Sequence, residues 1–113
     1  MNKEAMEISS IAKEALLDKK AEDVQILDLT GISNIADCFV IASGNNVNQV
    51  KAMANNVEEQ LYKKGYKTLH TEGFQSATWI LLDYGTVLIH LFNKEEREYY
   101  GLERIWGDAK VSE

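Results

Sequence analysis

The sequence of 113 residues contains no proline, which excludes a proline-rich linker or a PxxP ligand segment. Its one cysteine, Cys38, cannot form a disulfide within the chain. With His70 and His90 as the only histidines, the short paired spacings of a zinc site are missing as well. Long apolar runs are also lacking. FVIA (39–42) and WILL (79–82) are strand-length, far below the ~20 residues of a membrane-crossing helix, so no membrane insertion is expected. The opening MNKEAMEISS has early acid and no apolar stretch before a small-residue cleavage site, so no secretory signal is expected and the default compartment is cytoplasmic. Basic residues are outnumbered, 12 against 18 acidic ones, for a net charge of -6. That balance disfavours a sequence-independent grip on nucleic-acid phosphates and suits a basic protein as partner.

What is present is an ordinary globular composition, 45% hydrophobic and 27% charged, with no internal repeat and no Gly/Ser linker. One domain over 1–113 is expected, with an N-terminal helix at 1–20 and an α/β core at 24–106. Ile8, Ile11, Ala12, Ala15 and Leu16 recur at helical spacing, so the first helix should lie on the domain through an apolar stripe.

Val24–Asp28 reads as a strand ending in a turn, and Cys38–Ala42 is apolar without alternation, as a central strand covered on both faces would be. Val47, Val50, Ala54, Val57 and Leu61 then step down a long helix, entered through Asn46 and Gln49 spaced as a capping pair. Lys63, Lys64 and Gly65 supply its cationic last turn and left-handed stop. A short strand at Tyr66–Thr71 follows, so strand, helix and strand should form a right-handed βαβ crossover between parallel neighbours. Thr78–Asp83 and Thr86–Leu91 form a hairpin around Tyr84 and Gly85, and a last helix follows Asn93 before a polar tail. The expected fold class is α/β, with a mixed five-stranded sheet, this hairpin in the C-terminal half, and flanking helices.

A loop of Tyr84 and Gly85 alone pairs Asp83 with Thr86 and sorts the hairpin into two faces. Ile80, Leu82, Val87, Ile89 and Leu91 form an aliphatic face for the core. Trp79, Leu81, Asp83, Thr86, Leu88 and His90 share the other, with Trp79 opposite His90. Either a helix covers this second face and the indole N–H finds a carbonyl, or part of it is open and Trp79 anchors a partner. Helical spacing puts Tyr100 beside Arg97, Glu103 and Arg104, so it should be exposed, either lying on its own helix or serving as an interface aromatic. Trp106 fits core closure.

Catalytic readings are weaker. Asp28 and Asp83 both end strands, where open α/β sheets keep ligand sites, and two carboxylates can hold Mg²⁺. This is the basis of an alternative, a metal-dependent nucleotidyltransferase-like or phosphate-ester enzyme. Strand-end aspartates are routine in turns, however, and no basic residue or phosphate loop accompanies them. Cys38 and His90 could be nucleophile and base, but a thiol inside an apolar strand behaves as a small hydrophobe. Ser43–Asn46 opens a helix after a strand without the glycines and lysine of a phosphate loop. An RNA-binding module would need a basic, aromatic-bearing stripe that the sequence does not have.

DLTGISNIADCFVIASGNNVNQVKAMA from Asp28, the EG at Glu72, WILLDYG from Trp79, VLIH from Val87 and REYYGLERIWGDA from Arg97 occur in one order along the chain. In this combination the sequence resembles the ribosomal silencing factor, or Iojap, family over nearly its whole length. The resemblance implies a non-enzymatic translational repressor without cofactor or metal, with a fold similar to that of nucleotidyltransferases but without their activity. It further implies binding to the large ribosomal subunit through large-subunit ribosomal protein fourteen, which blocks joining with the small subunit. Roles in large-subunit maturation are attributed to relatives.

Carried over by motif, the implied partner-binding residues are Trp79 and Tyr100 as anchors, with Leu102 and Glu103 beside them. Rim contact with ribosomal RNA, and a homodimer that hides the aromatic patch, both stay open. Thr86 stands where the family usually has aspartate, Val47 and Asn48 replace a serine and a basic residue, and Cys38 takes a position that is often aromatic.

Overall fold

The Asn2 side chain accepts the Ala5 amide at 2.7 Å and so starts helix α1 (Lys3–Asp18), which buries Ala5, Ile8, Ala12, Ala15 and Leu16. The protein is seen here as a computed structural model that describes residues 1–100 and 110–112, with side chains described through Arg97. After α1 come β1 (Glu22–Asp28), β2 (Cys38–Gly44), α2 (Val47–Lys63), β3 (His70–Glu72), β4 (Trp79–Asp83), β5 (Val87–Asn93), α3 (Lys94–Tyr100) and β6 (Lys110–Ser112). They form a single α/β domain. No helix among the described residues is long and apolar enough to cross a membrane.

The expected cap of α2 is present with an added reach. The Asn46 side chain accepts the Gln49 backbone amide at 2.8 Å, while Gln49 Oε1 accepts the Asn45 backbone amide at 2.7 Å. The Gln49 side-chain amide also donates to the Lys19 and Lys20 carbonyls at 3.1 Å, which ties the start of α2 to the end of α1. At the far end Gly65, with φ +92°, sends its amide to the Tyr62 carbonyl, and Tyr66 sends its own to Leu61, closing a Schellman motif. The end of α1 makes the same two bonds with Lys20 in the left-handed position, at φ 62°.

The sheet runs β3-β4-β5-β2-β1-β6. β2 is buried along its whole length, as its unalternated sequence requires, and pairs in parallel with β5 from Cys38↔Val87 to Gly44↔Asn93. All other pairs are antiparallel. The five expected strands are therefore joined by a sixth, in the tail read as polar, because three residues at 110–112 complete the edge of β1. The expected adjacency of β2 and β3 is corrected. The two strands run in the same direction, but β5 and β4 lie between them and β3 closes the edge on β4. The short segment of β3 begins at His70 rather than Tyr66.

α1 and α2 both pack on one side of the sheet. Their apolar stripes meet Ile26, Cys38, Val40, Ala42, Ile80, Leu82, Val87, Ile89 and Leu91 in one core. This is the helix-covered, aliphatic face of the hairpin that alternation predicts. A second, smaller cluster on the other side joins Leu27, Leu29, Ala36, Phe39, Ile41 and Phe92, with Trp79 and Leu88 partly buried against it.

Candidate functional site: the aromatic face around Trp79

Register decides which residues meet on this second face. A loop of Tyr84 and Gly85 would need a positive φ at tyrosine. The chain instead places Gly85, at φ +84°, first in a Gly85–Thr86 loop closed by the Tyr84 amide on the Val87 carbonyl at 3.0 Å. The pairing slips by two residues, so Trp79 stands opposite Phe92 and Leu81 opposite His90. This corrects the expected Trp79 and His90 pair. A two-residue slip preserves the faces, and it leaves Trp79 and His90 as diagonal neighbours on one of them.

That diagonal contact is polar. The Trp79 indole Nε1–H donates to His90 Nδ1 at 3.0 Å, where the sequence led to a carbonyl acceptor. Around it Phe92 lies 5.2 Å from the Trp79 ring, and Phe39 meets the His90 ring edge-on at 4.5 Å. His90 is 5% exposed, whereas Trp79 is half-buried. Burial pushes the imidazole down to about 4, so it is neutral at pH 7 and its Nδ1 lone pair is available to the indole.

Two backbone features hold Trp79 in place. Gly73, at φ +79°, opens the turn between β3 and β4, and a Cβ there would lie 2.1 Å from the Trp79 carbonyl oxygen. The turn is closed by the Ala77 amide on the Gly73 carbonyl at 2.9 Å. No periodicity pointed to this glycine, although the EG motif contains it.

Arg97 is the other residue that sequence spacing misplaced. It is 6% exposed, donates to Ser43 Oγ at 3.0 Å and to the Asp23 carbonyl, and pairs with the Asp23 carboxylate at 3.5 Å. It docks α3 onto the ends of β1 and β2, so Arg97 is not the exposed residue that helical spacing made it. The side chain of Tyr100, and Leu102, Glu103, Arg104 and Trp106 altogether, lie outside the described residues.

The enzymatic alternative loses its geometry. Asp28 and Asp83 sit where the parallel pair β2 and β5 begins, not at the carboxyl ends where open α/β sheets bind ligands. Two strands separate them, about 14 Å, and alternation turns them to opposite faces. Each serves a turn, Asp28 accepting the Thr30 amide and Asp83 the Gly85 amide. Among the described residues no three His, Cys, Asp or Glu side chains could hold a metal ion. Cys38 is fully buried and its thiol is pushed up to about 12, first by burial and then by the Asp28 carboxylate. At the entrance of α2 the Gln49 and Asn45 amides are bonded to the Asn46 and Gln49 side chains, as in a helix cap.

Comparison with known proteins agrees with this picture. The family described as "Ribosomal silencing factor during starvation" matches residues 2–113. The ribosomal silencing factor RsfS of Bacillus subtilis is 45% identical over 106 residues, 94% of this chain and 90% of that protein. The chloroplastic Iojap protein of Arabidopsis thaliana is 30% identical over 93% of this chain and 42% of its own length. A crystal structure from Chromobacterium violaceum superposes with a TM-score of 0.89 at 37% identity, covering 99% of this chain and 92% of that one. One from Bacillus halodurans gives 0.85 at 39%, covering 96% and 98%. The chain thus belongs to the ribosomal silencing factor RsfS, or Iojap, family, non-enzymatic ribosome-binding factors that silence ribosomes during starvation.

Proposed function

We propose that this protein silences ribosomes by docking on the large ribosomal subunit through large-subunit ribosomal protein fourteen, so that its bulk blocks joining with the small subunit in the cytoplasm. Trp79 is the anchor, with Tyr100, Leu102 and Glu103 beside it. The observation that carries this reading is Trp79 itself, a half-buried tryptophan on the sheet face opposite α1 and α2. Large aromatics in such a setting dominate binding energetics.

Two further features support it. The net charge of -6 suits a basic ribosomal protein and gives fast, salt-sensitive encounter. The large subunit is favoured by a mouse relative, 30% identical over 80% of this chain and named "Mitochondrial assembly of ribosomal large subunit protein 1". That name also supports a contribution to large-subunit maturation.

The test is sedimentation of the purified chain with separated large and small subunits. Co-migration with large subunits and fewer joined ribosomes are expected, and Trp79→Ala, shown to be folded, should weaken binding at least tenfold, as loss of a hot-spot tryptophan does. A wild-type protein that stays at the top of the gradient overturns the docking mechanism.

A further inference from the structure

Trp79 is held by an unusual acceptor. An indole N–H can only donate, so His90 Nδ1 must carry a lone pair and the imidazole proton must sit on Nε2. Among the described residues, His90 Nε2 is the one buried side-chain nitrogen or oxygen with no hydrogen-bond partner. Leaving a buried donor unmade is costly. A phenylalanine at this position would keep the edge-on contact with Phe39 and remove the unpaired Nε2–H, and the one bond it would forfeit is the acceptor of the Trp79 indole. Packing alone does not call for histidine here. What histidine adds is an acceptor aimed at the indole.

We propose that His90 is a positioning residue for Trp79, its Nδ1 locking the indole in one orientation on the Phe39–Phe92 platform before any partner docks. The proposal rests on the reading of Trp79 as the ribosome anchor. An anchor already in its bound orientation loses less side-chain entropy on association, which is where preorganisation adds affinity. The neutral state of the buried imidazole at pH 7 is consistent with this role. The diagonal register makes it achievable, because Phe92 supports the indole from the directly opposite position while His90 reaches its nitrogen from two residues away.

The experiment compares the full chain with His90→Phe, His90→Asn, Trp79→Phe, Trp79→Ala and the His90→Phe/Trp79→Phe double variant, at pH 7 and fixed salt. Affinity for purified large subunits is measured together with the backbone-independent order of the Trp79 indole, from its ¹⁵N heteronuclear NOE, and with the melting temperature. His90→Phe is expected to melt close to wild type, since the unpaired Nε2–H disappears as the indole N–H loses its acceptor, to lose indole order and to bind about tenfold more weakly. His90→Asn, whose side-chain oxygen falls near the position of Nδ1, should restore both order and binding. In the Trp79→Phe background, which has no N–H to hold, His90→Phe should change nothing further.

If His90→Phe binds like wild type while Trp79→Ala is impaired, positioning is overturned and the anchor stands. If Trp79→Ala binds like wild type, the anchor reading fails and the proposal with it. An undiminished effect of His90→Phe in the Trp79→Phe background overturns the proposal too, because His90 would then act elsewhere. Should His90→Phe fail to fold, His90→Asn decides alone, since loss of indole order with the acceptor retained is incompatible with the proposal.

Discussion

At Gly73 the backbone passes so close to Trp79 that a single methyl group cannot be admitted. A Cβ would meet the Trp79 carbonyl oxygen at 2.1 Å, in a conformation with φ +79° that already disfavours any side chain. Gly73→Ala is expected to destabilise the protein by more than about 2 kcal/mol in urea denaturation. His90 makes a second residue-level prediction. The unfolded chain accepts a proton on this imidazole near pH 6.5, whereas the folded protein resists until about 4. Its contribution is therefore complete above pH 6.5 and is lost on acidification, up to about 3 kcal/mol near pH 4. Denaturant midpoints between pH 7.5 and 4.5 should fall for wild type and fall less for His90→Phe. At this scale the sequence was legible where chemistry is local. Cys38 reads as a buried apolar residue from its neighbours alone, but the acceptor of the Trp79 indole depends on a register that those neighbours do not display.

Elements were legible where their ends carry explicit signals. Asn46, Gln49 and Gly65 all do in the structure what their spacing implies, and Asn46→Ala should cost about 1 kcal/mol in thermal or chemical denaturation. Lys20 offers the reverse case. It ends α1 in the left-handed region without being glycine, so Lys20→Gly should raise stability by about 1 kcal/mol, visible as a higher melting temperature. The hairpin shows how a small turn preference propagates. Glycine first in the loop, rather than second, moves every cross-strand partner by two residues while leaving each side chain on its expected face. The strand β6 carried no comparable signal. Three residues have little propensity of their own, and what recruits them is the unpaired edge of β1.

In the whole molecule, distant segments are joined by contacts that no local pattern encodes. Arg97 draws α3 onto residues 74 and 54 positions earlier, Asp23 and Ser43. Arg97→Met, which keeps much of the apolar stem but removes the donors, should lower stability by about 2 kcal/mol in denaturant. Arg97→Lys should recover only part of it, since one ammonium cannot reproduce the planar fork. The burial of Arg97 also shows why its own exposure could not be read from helical spacing. Spacing says which residues neighbour one another on α3, not which side of α3 meets the sheet.

Periodicity, capping and turn residues, together with the absence of proline and of long apolar runs, by themselves determined an α/β domain, its two long helices, its central strand and its aliphatic hairpin face. These are set by interactions within a few residues, where chain entropy leaves little choice. Only the tertiary structure decided that β5 rather than β3 lies beside β2, that 110–112 close the sheet, and that Trp79 is held by His90 above Gly73. Those outcomes depend on pairings between segments far apart in sequence, whose free energies differ only when the whole sheet is assembled and every backbone group has found its partner.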